Sequence, residues 1–130
     1  MAIATTSQVL NDGPRNAVIH LTGLSDGIEQ ETLITKVDVS ALGQPVERVR
    51  LKRITYTLGE GIVRFLWDAN TNLEFLILNG HGSGFLDYRQ IGGLPNKADE
   101  TATGNILMST ENFGPNSSYT ITLELVKRFG

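Results

Sequence analysis

The stretch VERVRLKRITYTLGEGIVRFLWDANTNLEFLIL, residues 46–78, decides the fold class. Val49 and Leu51 alternate with Arg48, Arg50 and Lys52, the period-2 pattern of a strand with one face in a core and one in water. The alternation resumes as Ile54, Tyr56 and Leu58 after a phase slip at Arg53, as a β-bulge would produce. Gly59-Glu60-Gly61 turns the chain. Val63, Phe65 and Trp67 form a second apolar row. Asp68 to Asn72 is another turn, and Leu73, Phe75 and Ile77 form a third row. Three consecutive strands of this kind predict an antiparallel meander.

Working outward, the same punctuation recurs. Strands are expected at Ala17–Thr22, Thr32–Val39, Phe85–Tyr88 and Gly104–Thr110. Tyr119, Ile121, Leu123 and Leu125 give the cleanest alternation in the chain, and a long loop is expected over 89–103. About eight short strands with frequent turn signals, and no 3.6-residue apolar stripe, predict an all-β antiparallel sandwich of jelly-roll-like form. Residues 1–14 read as an extended N-terminal arm. Ile3, Val9 and Leu10 are apolar there, but Asn11-Asp12-Gly13-Pro14 cuts the segment off from the domain at 15–130. Such an arm is expected to order on a neighbouring subunit.

The 130 residues suffice for one domain that buries roughly two-thirds of its unfolded surface. With no Cys, disulfide frameworks and thiolate chemistry are excluded. A mean hydropathy of −0.07 fits a globular chain. No apolar run approaches the ~20 residues of a membrane-spanning helix, and no signal peptide is visible at the N-terminus, so neither a membrane nor a secretory route is expected. The sequon at Asn116 then reads as chance.

Charge is uneven. Residues 46–64 carry five basic groups against two acidic ones, between two acidic flanks, in a chain of net charge −3. Either this is a solvated strand face that blunts edge pairing, or Arg48, Arg50 and Lys52 meet an acidic surface on a neighbour. Nucleic acid is not expected, because the chain is acidic and no aromatic interleaves the basic residues.

The candidates for chemistry are weak. His20 sits in mid-strand. His81, Ser83 and Asp87 fall within seven residues, whereas triads assemble from distant parts of a fold, and Gly82-Ser83-Gly84 does not match the nucleophile elbow. No Gly-Lys-Ser/Thr follows the glycines to make a phosphate cradle. Asp68, Asn70 and Asn72 have the opening spacing of a calcium loop, but Leu73 and Asn79 stand where its Gly and Glu belong, so an Asx turn explains them. Trp67 reads as core before it reads as a sugar platform. No catalytic, cofactor or metal residue is assigned, and no enzyme is expected.

Taken in order, Gln8 to Asn16, Gly23-x-x-Asp26-Gly27, Lys36 to Leu42, Val63 to Ala69, Gly92-Gly93-Leu94-Pro95, Thr103 to Leu107 and Tyr119 to Leu125 resemble a family of small virion structural proteins of tailed bacteriophages, often met in phages of aquatic bacteria. The resemblance implies a capsid decoration or cement protein, located in the virion after assembly in the host cytoplasm. It further implies the major capsid protein or another virion protein as partner, and a homo-oligomer, trimer or dimer. The interface candidates are Ile3, Val9, Leu10, Arg48, Arg50 and Lys52. The alternatives are a neck, tail or baseplate component, or a carbohydrate-binding β-sandwich using Trp67, Tyr56 or Tyr88.

Overall fold

The computed structural model describes residues 4–26, 31–42, 48–79, 82–97 and 101–128. Nine strands lie among the described residues: β1 (Ala4–Asp12), β2 (Asn16–Asp26), β3 (Ile34–Val37), β4 (Arg48–Leu58), β5 (Ile62–Trp67), β6 (Leu73–Asn79), β7 (Gly82–Asp87), β8 (Ile106–Glu111) and β9 (Pro115–Arg128). They form a five-stranded sheet in the order β1-β2-β9-β4-β7 and a four-stranded sheet in the order β3-β8-β5-β6. Every ladder is antiparallel. From β2 onward the chain passes back and forth between the sheets, with β5-β6 as the one hairpin. This is the strand order of a jelly roll, with β1 added at an edge.

The alternations in the sequence lie where the core is. Ala17, Ile19 and Leu21 of β2, Val49, Leu51, Ile54 and Leu58 of β4, Val63, Phe65 and Trp67 of β5, and Tyr119, Ile121, Leu123 and Leu125 of β9 all point between the sheets and are buried. The phase slip in β4 is a bulge. Leu51 faces Leu125 and Arg53 faces Glu124, leaving Lys52 as the extra residue.

Three expectations change. β4 and β5 are not meander neighbours, since β4 lies in the larger sheet between β9 and β7. The Gly59–Gly61 turn crosses from one sheet to the other. Gly61 has φ +130°, and a Cβ there would come within 2.2 Å of Phe113, so this sharp passage accepts only glycine. The third apolar row is also rephased. Phe65 pairs with Leu76 and Leu66 with Glu74, which makes Phe75 the extra residue of a second bulge. Leu76 and Leu78 therefore point inward and Ile77 is exposed, while Phe75 stacks on Trp67 at 3.9 Å between centroids. Finally, the segment expected as a free arm is, from Ala4 to Asp12, an outer strand paired with β2. Ile3 lies outside the described residues.

A cationic groove on a hydroxyl-lined sheet face

The outer face of the five-stranded sheet is built by ladder register. Residues directly opposite one another share a face, so a side chain on β7 begins a row that crosses all five strands at roughly 4.8 Å per strand. One row runs Ser83, Thr57, Thr120, Thr22, Thr6. The next runs Phe85, Thr55, Thr122, His20, Gln8. A third runs Asp87, Arg53, Glu124, Val18, Asn11. The first row is all hydroxyls, and Thr6 and Thr22 touch through theirs. In the second, His20 Nδ1 lies 2.9 Å from Thr122 Oγ1, so this histidine is tied into the sheet. Phe85 is 59% exposed, with the Arg53 guanidinium over its ring at 4.9 Å.

Beyond the charged row lies a groove of about 360 Å³, lined by Arg15, Arg50, Lys52, Arg89, Gly92 and Val126. Arg50 is shared with a smaller cleft of about 190 Å³ that includes Arg48, Pro95, Asn96 and Lys97. The loop after β7 shapes both. Tyr88 N–H donates to Lys52 O, and Leu51 and Leu94 exchange backbone bonds at 3.0 and 2.7 Å. Gly92 and Gly93 have φ +76° and +100°, and a Cβ on Gly93 would meet Arg50 Cβ at 2.9 Å. Glycine here lets the loop lie flat against β4 and leaves the Arg50 head free.

Charge pairing separates this groove from the other cations. Arg64, on the smaller sheet, donates to Glu111 at 2.7 Å and Glu74 at 2.9 Å, which holds its pKa above the ordinary value. Arg89 donates to Asp87, and that hydrogen bonding lowers the Asp87 carboxyl to about 2. Arg53 lies 3.8 Å from Glu124. Arg48 donates to Asn96 O at 3.1 Å. Arg15, Arg50 and Lys52 make no ion pair among the described residues. Three uncompensated cations therefore face one concavity, and such a site attracts an anion.

The interface residues expected from sequence divide accordingly. Arg48, Arg50 and Lys52 stand together on the groove side of β4, with Val49 and Leu51 turned into the core. Val9 and Leu10 are exposed on β1, at the opposite edge of the sheet. Arg15 and Arg89 were not singled out. They come from the β1–β2 turn and the loop after β7, and only the folded register brings them to Arg50. Trp67 is 1% exposed and cannot stack on a ligand, and Tyr56 and Tyr88 are partly buried against the core. Among aromatics named at the outer face, Phe85 is the exposed one, and its place opposite Thr55 could not be read without the β4–β7 register. His81 lies outside the described residues. Asp68 accepts from Thr103 Oγ1 at 2.8 Å, and Asn72 Oδ1 accepts from Ala69 N–H at 3.1 Å, so side chains of the 68–72 turn are used in its own bonding, though Asn72 reaches back three residues and not forward two as in an Asx turn.

No protein-family model matches this chain, and no curated protein matches it. Among solved structures it is similar to a carbohydrate binding module of family 29, at 10% identity over 97% of this chain and 90% of that one, with a TM-score of 0.41. It is also similar to an RmlC-like cupin family protein with a double-stranded β-helix fold from Methanocaldococcus jannaschii, at 7% identity, 92% and 78% coverage and a TM-score of 0.34. A cupin superfamily protein from Desulfitobacterium hafniense DCB-2 gives 10% identity, 95% and 77% coverage and a TM-score of 0.34. At these values the likeness carries no inference about ligand or activity.

Proposed function

We propose that this chain is a non-catalytic binding β-sandwich, and that its outer sheet face holds an acidic polysaccharide. The observation that carries the reading is the meeting of Arg15, Arg50 and Lys52, none with an ion-pair partner among the described residues, in a groove that one charged row separates from the hydroxyl-bearing rows of the same sheet face. The cations suit carboxylates. The Ser and Thr rows suit sugar hydroxyls, which both donate and accept. Phe85 offers an exposed ring edge beside them.

The test is titration with a polyuronate, against a neutral glucan of similar length. Binding to the polyuronate is expected, weakening steeply as salt rises, because exposed charges are screened over ~8 Å at physiological ionic strength. The double variant Arg50→Glu, Lys52→Glu should lose at least tenfold in affinity while its melting temperature stays near that of the parent. Equal affinity for the two polymers, or an unaffected double variant, overturns the reading.

A second reading rests on the resemblance noted in the sequence and on the same groove: the protein decorates a phage particle, and Arg48, Arg50 and Lys52 dock on acidic groups of the capsid or of another virion protein. Localisation by electron microscopy of purified particles separates the two. Density for the chain on the shell, displaced by salt and by the Arg50→Glu, Lys52→Glu change without any glycan binding, would support the virion reading over the first.

A further inference from the structure

We propose that β1 is an exchangeable strand, able to leave its own β2 and fill the identical slot on a second copy of this chain. The inference stands apart from the ligand, and starts from what β1 lacks. Among the described side chains the buried core begins at Ala17, and none from Thr5 to Asp12 belongs to it. Val9 is 54% and Leu10 58% exposed, so β1 is wet where β2, β9 and β4 are dry on one side. Val9 lies opposite the buried Ile19, hence on the inward face, and is still more than half exposed. The strand overhangs the sandwich.

What holds β1 is its ladder to β2, from Ala4 opposite Leu24 to Asp12 opposite Ala17, broken by a bulge at Leu10. Side-chain ties include the Asp12–Lys127 ion pair and the Thr6–Thr22 contact. Every one of these can form in trans, because a second copy presents the same β2 edge in the same register. A strand with Val9 as its one large apolar side chain on the inward face, and polar residues along both, specifies its partner weakly and is prone to exchange. The hinge is short. Gly13 N–H donates to Asn16 O at 2.9 Å to close a turn over Pro14. Opening it gives up that bond, and the proline ring already biases Gly13 toward an extended backbone.

Exchange would also alter the outer face. Thr6 and Gln8 end the two hydroxyl-rich rows, so in the exchanged form the partner copy supplies them. Arg15 stays with the body of its own chain, since its carbonyl accepts from Lys127 N–H at 2.7 Å. The groove is thus kept in each copy while its face is completed by the neighbour.

The chain has no cysteine, which makes the test direct. Thr6→Cys and Thr22→Cys are prepared as separate proteins, mixed at low and high concentration, passed through mild denaturant and returned to buffer, and oxidised. Directly opposed strand residues lie within disulfide range. Exchange predicts a disulfide-linked pair of unlike chains whose yield rises with concentration. The Thr6→Cys, Thr22→Cys double variant, oxidised at low concentration before any denaturant is added, should close within one chain, stay monomeric when then concentrated, and show that the positions can bond. Gln8→Cys with His20→Cys repeats the test one position along. Closure within the double variant with no linkage between unlike chains overturns the proposal. So does linkage of Thr6→Cys to itself, which would mean edge-to-edge pairing of two β1 strands. Hydrogen exchange gives an independent reading. The β1 amides bonded to β2 should exchange well before the β2 amides bonded to β9, and equal protection of the two sets would also overturn it.

Discussion

Glu31 carries a carboxylate whose side chain is fully buried in the sandwich, and two donors hold it there. Lys36 Nζ lies 2.6 Å from one oxygen, and Tyr119 Oη donates to the other at 2.7 Å. Thr110 and Glu31 exchange two further bonds through the Glu31 backbone. A buried pair of this kind adds little net stability but is costly to break, because it leaves a charge without a partner. Gly23 is part of the arrangement, since a Cβ there would sit 2.3 Å from the Tyr119 ring. Burial, and then the bond to Glu31, push the Tyr119 phenol well above its usual range. Tyr119→Phe should therefore cost about 1–3 kcal/mol at neutral pH, as one carboxylate oxygen loses its donor. The sign with pH follows from the raised value. The contribution is fully present below the unfolded phenol's pKa near 10 and is lost as pH rises above it, because only the unfolded state ionises. The stability gap between the parent and Tyr119→Phe should narrow by up to about 1.4 kcal/mol per pH unit above 10, as read from denaturant melts at pH 9 to 11. A gap that stays constant would place the phenol in contact with water. None of this was legible in the sequence, where Glu31 closes a polar, turn-rich stretch and Tyr119 lies 88 residues away.

At the scale of an element, β4 shows what period-2 reading can and cannot deliver. Adjacent polar residues at Lys52 and Arg53 revealed the bulge, because one extra residue must break an alternation. The same logic missed Phe75 in β6. There the extra residue is itself apolar, and the row Leu73, Phe75, Ile77 looks unbroken while the true inward positions pass to Leu76 and Leu78. The outcome in β4 can be tested. Leu51 is fully buried, so Leu51→Ala should cost on the order of 2–5 kcal/mol. Arg50→Ser with Lys52→Ser removes two partly exposed cations that make no ion pair among the described residues, and should stay within about 0.5 kcal/mol of the parent. Chemical denaturation of both variants reads the two numbers together. A double variant that unfolds while Leu51→Ala survives would mean that the faces are reversed. The same side chains gave the sequence its basic stretch, and the fold sorts them into paired and unpaired among the described residues. Arg64 is neutralised on the other sheet, while Arg50 and Lys52 are joined by Arg15 and Arg89 from distant turns.

For the whole molecule, the order of strands in the larger sheet ranks the segments by how much depends on them. β9 is central, with β2 on one side and β4 on the other, and Tyr119, Ile121, Leu123 and Leu125 fill the core from it. The sequence showed β9 as the clearest strand but could not show that it is the central one, because its partners start some 70 and 100 residues earlier. Nor could it show that residues 4–12 form a strand, since without core contacts they leave no apolar period to read. The two ends of the chain are therefore predicted to differ sharply in their effect on folding. Deleting residues 2–11 spares Asp12, the partner of the buried Lys127, removes most of one edge ladder and no described core side chain, and leaves a β domain that melts cooperatively at a somewhat lower temperature. A chain ending at Gly114 loses the strand between β2 and β4, so both lose their common partner and the sheet cannot close. It should show no strand signal by circular dichroism and no cooperative transition. The pair of truncations carries its own control, because each removes sequence from one end without touching the other. If both remain folded, β9 is not the organising strand. If both unfold, β1 contributes to the core in a way its exposure contradicts, and the exchange proposed for it fails as well.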